Sequence, residues 1–333
     1  MKTIAVWVSE QVALGAVASI QDFFTFCNQY WYFLKQQEPL FRVKLIGPQP
    51  QVRSGAVWVE TEPVDLTAVD ALIIPGFHDT KPADLRQASQ ILCPYQRQIT
   101  DFYLQNKWLT AFCSGTFALA GIGLLDHKQA TSVWFFNDYF RQMFPKVQLN
   151  LQELVVQQQN ILTAGATTSY LNLCLRLVEL MMDTAFAQQM AKIMLTDPNR
   201  HSQLPYLSLQ LPLVHSDPKL AEIQHYMQQH LQSPLTLDSI AEAFAMTSRT
   251  LIRRFKQHLD ETPIAYLQRL RVERAKSLLE NTSLAVEQVM ALVGYEDLSS
   301  FRKLFIHYTS LTPKAYRQKF MFEPQLPCGS GDE

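Results

Sequence analysis

The sequence predicts an α/β domain built on a parallel sheet, followed by an all-α domain that carries two helix-turn-helix units. Three observations lead there. Short apolar strand patterns alternate with helical stretches as far as about Met194. Between Thr196 and Pro218 a proline-punctuated stretch carries no sustained period, and from Lys219 to Phe320 the period is helical throughout. At 333 residues and 38.2 kDa the chain suits two domains better than one. The expected division is 1–195, a linker at 196–217, a helical domain at 218–322 and a polar tail at 323–333. A hydrophobic fraction of 47% against 18% charged excludes a mostly disordered chain.

In the first half, Thr3–Val8 (TIAVWV) is a short buried-strand pattern, and Leu14, Val17, Ile20 and Phe24 give the stretch after it a helical period. Ala71–Pro75 (ALIIP) is a second apolar strand, ending in Gly76. A helical pattern over Ala83–Leu104 leads to a third strand, Trp108–Phe112 (WLTAF). Strands interleaved with helices in this way build parallel βαβ units. In the connection, Pro198, Pro205, Pro212 and Pro218 each remove a backbone donor and disfavour helix before them. No long-period repeat is evident, and low complexity is confined to glutamine richness and the terminal CGSGDE. The N-terminus enters its apolar run too early and too briefly for a signal peptide, and no apolar stretch is long enough to span a bilayer. Cys27, Cys93, Cys113, Cys174 and Cys328 are scattered, without CxxC spacing. A soluble, cytoplasmic protein with no metal or cofactor is expected.

In the second half, Leu237, Ile240, Ala241 and Phe244 form one apolar helix face that Asp238 can cap. Ala245–Thr247 then turns the chain, with Thr247 or Ser248 as the cap of a helix that buries Leu251 and Phe255. Arg249, Ile252, Arg253 and Lys256 fall on the other faces of that helix, which can enter a major groove where arginine reads guanine edges. The arrangement recurs. Val286, Val289, Met290 and Val293 line one helix, Gly294 ends it, and the next helix buries Phe301 and Phe305 while presenting Leu298, Ser299, Arg302 and Lys303. An amphipathic helix of about 16 residues, roughly 24 Å long, joins the two units. Residues 217–322 hold 14 Lys and Arg against 11 Asp and Glu, so this half is slightly basic and the remainder slightly acidic.

The run TSRTLIRRFKQHLDETPIAYLQRLRVERAKSLLENT, followed by VMALVGYEDLSSFRKLFIHYTSLTPKAYR, resembles the DNA-binding domain of AraC/XylS-type transcription regulators. By that similarity Arg249, Ile252 and Arg253 of the first unit, and Leu298, Ser299, Arg302 and Lys303 of the second, stand where the family reads bases. The glycine usual before each Ser/Thr-Pro is Asp260 in one unit and Ser310 in the other.

Cys113 is the sharpest chemical candidate. It follows WLTAF directly and precedes a glycine-opened helical run, a junction that exposes a thiol at a helix N-terminus. This stretch and ALIIPG resemble the PfpI-type, class I glutamine-amidotransferase-like superfamily, which implies a flavodoxin-like sheet and an oxyanion-hole loop matched at Gly76, with Phe77 beside it in the expected pocket. Departures from its pattern argue against catalysis. Hydrolytic relatives often place histidine at the position of Ser114, and regulator-type relatives commonly carry one where Val133 stands. A thiol nucleophile needs such a base. Glu10, His78 and the aromatic Trp134 complete the expected pocket set.

Together these features predict a transcription regulator that binds double-stranded promoter DNA as a homodimer and contacts RNA polymerase. Its first domain is expected to sense a small molecule, for which the resemblance suggests an amine or amino-acid derivative. A cysteine-dependent amidase or deglycase-like enzyme, or a Cys113 redox sensor, is the alternative.

Overall fold

The computed structural model describes residues 1–54, 56–78, 81–207 and 217–322. Residues 208–216 of the expected linker, the tail (323–333) and Cys328 lie outside the described residues. The chain divides into two compact units, Met1–Gln203 and Leu204–Glu333.

The first unit begins with β1 (Lys2–Trp7), α1 (Leu14–Lys35) and β2 (Phe41–Ile46), which lies parallel to β1. A hairpin of β3 (Gln51–Ser54) and β4 (Val57–Glu60) precedes β5 (Ala71–Ile74), which pairs with the other side of β1. Then follow α2 (Pro82–Gln90), α3 (Gln96–Leu104), β6 (Trp108–Phe112) and α4 (Gly115–Gly121). A short parallel pair, β7 (Gln129–Ala130) and β8 (Gln148–Leu149), brackets α5 (Asn137–Met143). The unit closes with β9 (Val155–Gln158), β10 (Ile161–Ala164), α6 (Tyr170–Met181) and α7 (Thr184–Ile193).

The main sheet has the order β2-β1-β5-β6-β10-β9, parallel except for β9 at one edge. α1 packs with α6 and α2 with α4, so helices cover both faces. That double cover explains why all four residues of β5, ALII, are buried and apolar. The helix expected over Ala83–Leu104 is two helices, because a 3₁₀ turn at Cys93–Tyr95, with Pro94 inside it, interrupts the ladder. The unit also runs past the expected boundary at 195. The Asn172 side chain donates to the Asp197 carbonyl, and Gln203 donates to the Thr131 hydroxyl at 2.8 Å, which holds this segment to the sheet domain.

The second unit is helical. Its elements are α8 (Pro218–Gln229), α9 (Leu237–Ala243), α10 (Ser248–Leu259), α11 (Pro263–Asn281), α12 (Val286–Leu292), α13 (Leu298–Thr309) and α14 (Pro313–Phe320). Two hydrophobic cores form. One gathers Leu220, Ile223, Ile240, Leu251, Phe255 and Leu267; the other gathers Val272, Leu279, Val289, Phe301, Phe305 and Tyr316. At 19 residues α11 spans roughly 28 Å, a turn more than the sequence pattern indicates. Thr236, not Asp238, caps α9; Asp238 accepts from the Ser248 hydroxyl.

An offset of 50 residues relates the two helix-turn-helix units, so the arrangement that recurs in the sequence is a long-period repeat, contrary to the expectation of none. Thr247 and Asp297 cap α10 and α13; Leu251 and Phe301 are buried, as are Phe255 and Phe305. Asp260 and Ser310 both close their helices in the left-handed region, at φ 53° and 56°. Thr262 and Thr312 cap the next helices, each followed by proline. The pattern is hidden because equivalent positions share a backbone role more often than an identity.

Two outcomes follow for stability. Ser310→Gly, which relieves the left-handed strain of a residue with a Cβ, raises the stability of the helical unit by about 1 kcal/mol in denaturant unfolding. Asp217 caps α8 and pairs with Arg254, with His258 beside it. Burial opposes its ionisation, but the Leu220 amide and Arg254 outweigh that and hold its carboxyl below the ordinary value. Its contribution is therefore complete above the unfolded value of about 4 and is lost as pH falls through the lower folded value. Asp217→Asn is less stable than the parent at pH 7, and the gap closes on acid titration of the unfolding midpoint.

Candidate nucleic-acid interface and effector-domain cavity

On α10, Arg249, Ile252, Arg253 and Lys256 fall at i, i+3, i+4 and i+7 and all are exposed, opposite the buried Leu251 and Phe255. On α13 the corresponding outer face carries Ser299, Arg302 and Lys303, whereas Leu298 is half-buried against the second core. The same face continues through Ile306, 42% exposed, which the 50-residue offset places opposite Lys256. Ile306 is not singled out by the sequence reading; the offset is the signal that finds it.

Charge is sorted between these faces and the interior. Arg254, Arg269 and Lys276 pair with Asp217, Glu261 and Glu273. Among the described residues Arg249, Arg253 and Arg302 form no ion pair, so their guanidinium groups stand available to phosphate or base edges. Asp297 is committed locally. Hydrogen bonds from the Ser300 side chain and amide hold its carboxyl below the ordinary range, with Lys303 contributing.

In the first unit Cys113 sits at the strand–helix junction with φ 55°, a left-handed conformation that is strained for a residue with a side chain. Its N–H points at the carbonyls of Ala164 and Gly165, at 3.1 and 2.8 Å, which fastens the elbow to the end of β10. Two glycines give it room. A Cβ on Gly115 would collide with the Ile74 and Pro75 carbonyls, and one on Gly76 would lie 2.9 Å from Cys113 Cβ and 3.3 Å from its Sγ. The thiol is half-buried, whereas burial pushes the Cys27 thiol up to about 12 and that of Cys174 also far up.

The expected pocket set separates into two groups. Phe77, Ser114 and Val133 are buried. The Phe77 N–H donates to Ser114 Oγ at 2.8 Å, so an amide of the expected oxyanion loop is already engaged. Glu10 and His78 instead line an open cavity of about 430 Å³ with Gln11, Arg53 and Ser54. It lies beyond the C-terminal ends of β1 and β5, where the strand order reverses, the usual ligand crevice of an open α/β sheet. Arg53 and Ser54 come from the β3–β4 hairpin, which has no distinctive sequence pattern. Trp134 is half-buried, edge-on to an exposed Phe135, while Phe140 packs into the core against Phe117 and Phe144. Among the described residues no cluster of His, Cys, Asp and Glu could hold a metal ion, and no helix is long and apolar enough to cross a membrane.

Residues 240–319 match the helix-turn-helix domain family, and residues 52–180 match the DJ-1/PfpI family. The transcriptional regulator GbdR of Pseudomonas aeruginosa is 26% identical over 255 residues, which cover 75% of this chain and 66% of that protein. The regulator CdhR of the same species is 30% identical over 213 residues, 63% of this chain and 60% of that one. The chain thus spans slightly less than two thirds of the length of these relatives. A crystal structure of a transcriptional-regulator-type protein from Vibrio parahaemolyticus shares the fold, with a TM-score of 0.51 at 16% identity, over 58% of this chain and 98% of that one.

The tight approach at the elbow is testable. Gly76→Ala costs about 1–3 kcal/mol in unfolding and slows alkylation of Cys113, read by mass spectrometry with the exposed Cys93 as internal control. Unchanged stability and labelling would refute the packing assigned to Gly76.

Proposed function

Because this chain joins an AraC-type helix-turn-helix domain to a DJ-1/PfpI domain, we propose that it is a sequence-specific DNA-binding transcription regulator whose first domain senses a small molecule without catalysis. The observation that carries this reading is the pair of recognition-type helices, α10 and α13, each with its outer cations turned away from its own core. Two such faces on one connecting helix suit successive major grooves, about 34 Å apart along B-form DNA.

The cavity at the ends of β1 and β5 is the proposed effector site. Glu10 and Arg53 give its lining both signs of charge, which suits an amine or amino-acid derivative that carries both. An effector of this kind acts only by preferring one arrangement of the protein over another. Homodimer formation, contact with RNA polymerase and a cytoplasmic location belong to the same proposal. The buried Ser114 and Val133, at positions where relatives place histidines, support a role without turnover. The left-handed Cys113 at a helix N-terminus favours a second reading, in which oxidation of that thiol replaces ligand binding.

Selection of bound sequences from random duplex DNA at physiological salt tests the primary reading. The wild-type chain enriches a motif with two half-elements about one turn apart. Arg253→Ala weakens binding by about 1–3 kcal/mol and relaxes preference at one base position, and Lys303→Ala acts on the other half-element. Equal weakening on every sequence would assign Arg253 to phosphate contact alone. No enrichment, with or without added amines and amino acids, would overturn sequence-specific binding.

A further inference from the structure

The two hydrophobic cores of the helical unit meet on α11, where the first ends at Leu270 and the second begins at Val272. Arg271 stands at that seam, only 9% exposed. Its Nε donates to the Leu231 carbonyl at 3.0 Å and its Nη2 to the Ser233 carbonyl at 2.7 Å. Both acceptors belong to the loop between α8 and α9, in the first helix-turn-helix unit. The guanidinium also lies over the Tyr295 ring, 5.3 Å from its centre, and Tyr295 belongs to the turn between α12 and α13 of the second unit. Next to it, Gly294 has φ +78°; a Cβ there would strike the Leu231 carbonyl and come within 2.8 Å of Arg271 Nη2. Tyr295 in turn rests on Phe301, the first fully buried residue of α13.

A buried guanidinium is costly unless its donors are used, and an apolar side chain would fill the seam with less penalty. What the arginine supplies is direction. Its planar fork engages two carbonyls of one unit while its cation lies over a ring of the other, a combination that lysine cannot reproduce. A second contact, Tyr308 Oη to the Ala265 carbonyl at 3.4 Å, links α13 to the start of α11 without that angular constraint.

We propose that Arg271 is a positioning residue that sets the separation and angle of α10 and α13, and thereby the spacing between half-elements that a DNA site must have. This rests on the DNA-binding reading above, but its first test needs no DNA. The full-length chain, with Cys93, Cys113 and Cys328 changed to serine, carries spin labels at Lys256→Cys and Ile306→Cys. Double electron–electron resonance then compares the parent with Arg271→Met, Arg271→Lys and Tyr295→Leu. The parent gives one narrow distance peak. Arg271→Met and Arg271→Lys give distributions at least about twice as wide while circular dichroism stays helical, and Tyr295→Leu is intermediate. Should Arg271→Met fail to fold, Arg271→Lys and Tyr295→Leu decide the matter. Folded variants with the parent's narrow peak would overturn the proposal.

The second test uses unlabelled protein and the duplex enriched by the wild type. One base pair inserted between its half-elements lowers wild-type affinity by about tenfold. The penalty falls below about threefold in Arg271→Lys, with a single half-element bound as by the wild type. An equal insertion penalty in both proteins would overturn the proposal. Absence of any enriched duplex would remove the DNA-binding reading and leave the distance measurement to decide the role of Arg271.

Discussion

α11 contributes Tyr266, Leu267 and Leu270 to one hydrophobic core and Val272, Ala275, Leu278 and Leu279 to another. Neither helix-turn-helix unit closes its interior without it. A continuous helix is stiff, so each half inherits its position from the same backbone, and the outer faces of α10 and α13 are related by that rod. On the outer faces of α10 and α13, positions 249, 252, 253 and 256, with 299, 302, 303 and 306, are exposed and open to a partner. Packing thus selects the available surface before any charge is considered.

A different constraint governs the first unit. There the decisive feature is close backbone approach at the ends of β5 and β6, where Gly76 meets Cys113 and Gly115 meets the Ile74 and Pro75 carbonyls. The arrangement presents a thiol in the manner of a nucleophile elbow, yet the groups around it are directed inward. Ser114 holds the Phe77 amide, Ser132 donates to the Cys113 carbonyl at 3.0 Å, and Val133 is buried. A packed turn thus stands beside a separate, charged cavity.

Strands TIAVWV, ALIIP and WLTAF are legible in the sequence because double cover makes them apolar but for Thr3 and Thr110. β2, FRVKLI, is not, since it lies at the sheet edge and admits Arg42 and Lys44. Much of the helical unit is legible: the cap at Thr247, the buried pairs and the glycine at 294 each have a local physical signature, whereas α9 is capped by Thr236 and not by Asp238. The recurrence of the two helix-turn-helix units is legible, but its 50-residue offset escapes because Thr and Asp serve equally as caps, and Asp and Ser both enter the left-handed region. The elbow is legible from a strand followed by Cys-x-Gly, but the cavity is not. Arg53 and Ser54 reach it from a hairpin whose place depends on long-range contacts that no local pattern records. The role of Arg271 is likewise invisible in one dimension, because its partners lie 40, 38 and 24 residues away.

The central place of β1 in the sheet bears on how the chain assembles during synthesis. β1 precedes both of its partners in the chain, residues 41–46 and 71–73, and the sheet is complete only when residues 161–164 dock on β6. Closing such long loops is slow, and until then an apolar N-terminal strand lacks its neighbours. The helical unit draws mainly on contacts between adjacent helices and can close soon after it leaves the ribosome. The α/β unit therefore carries the longer exposure of unpaired strand during folding, and the helical unit the shorter.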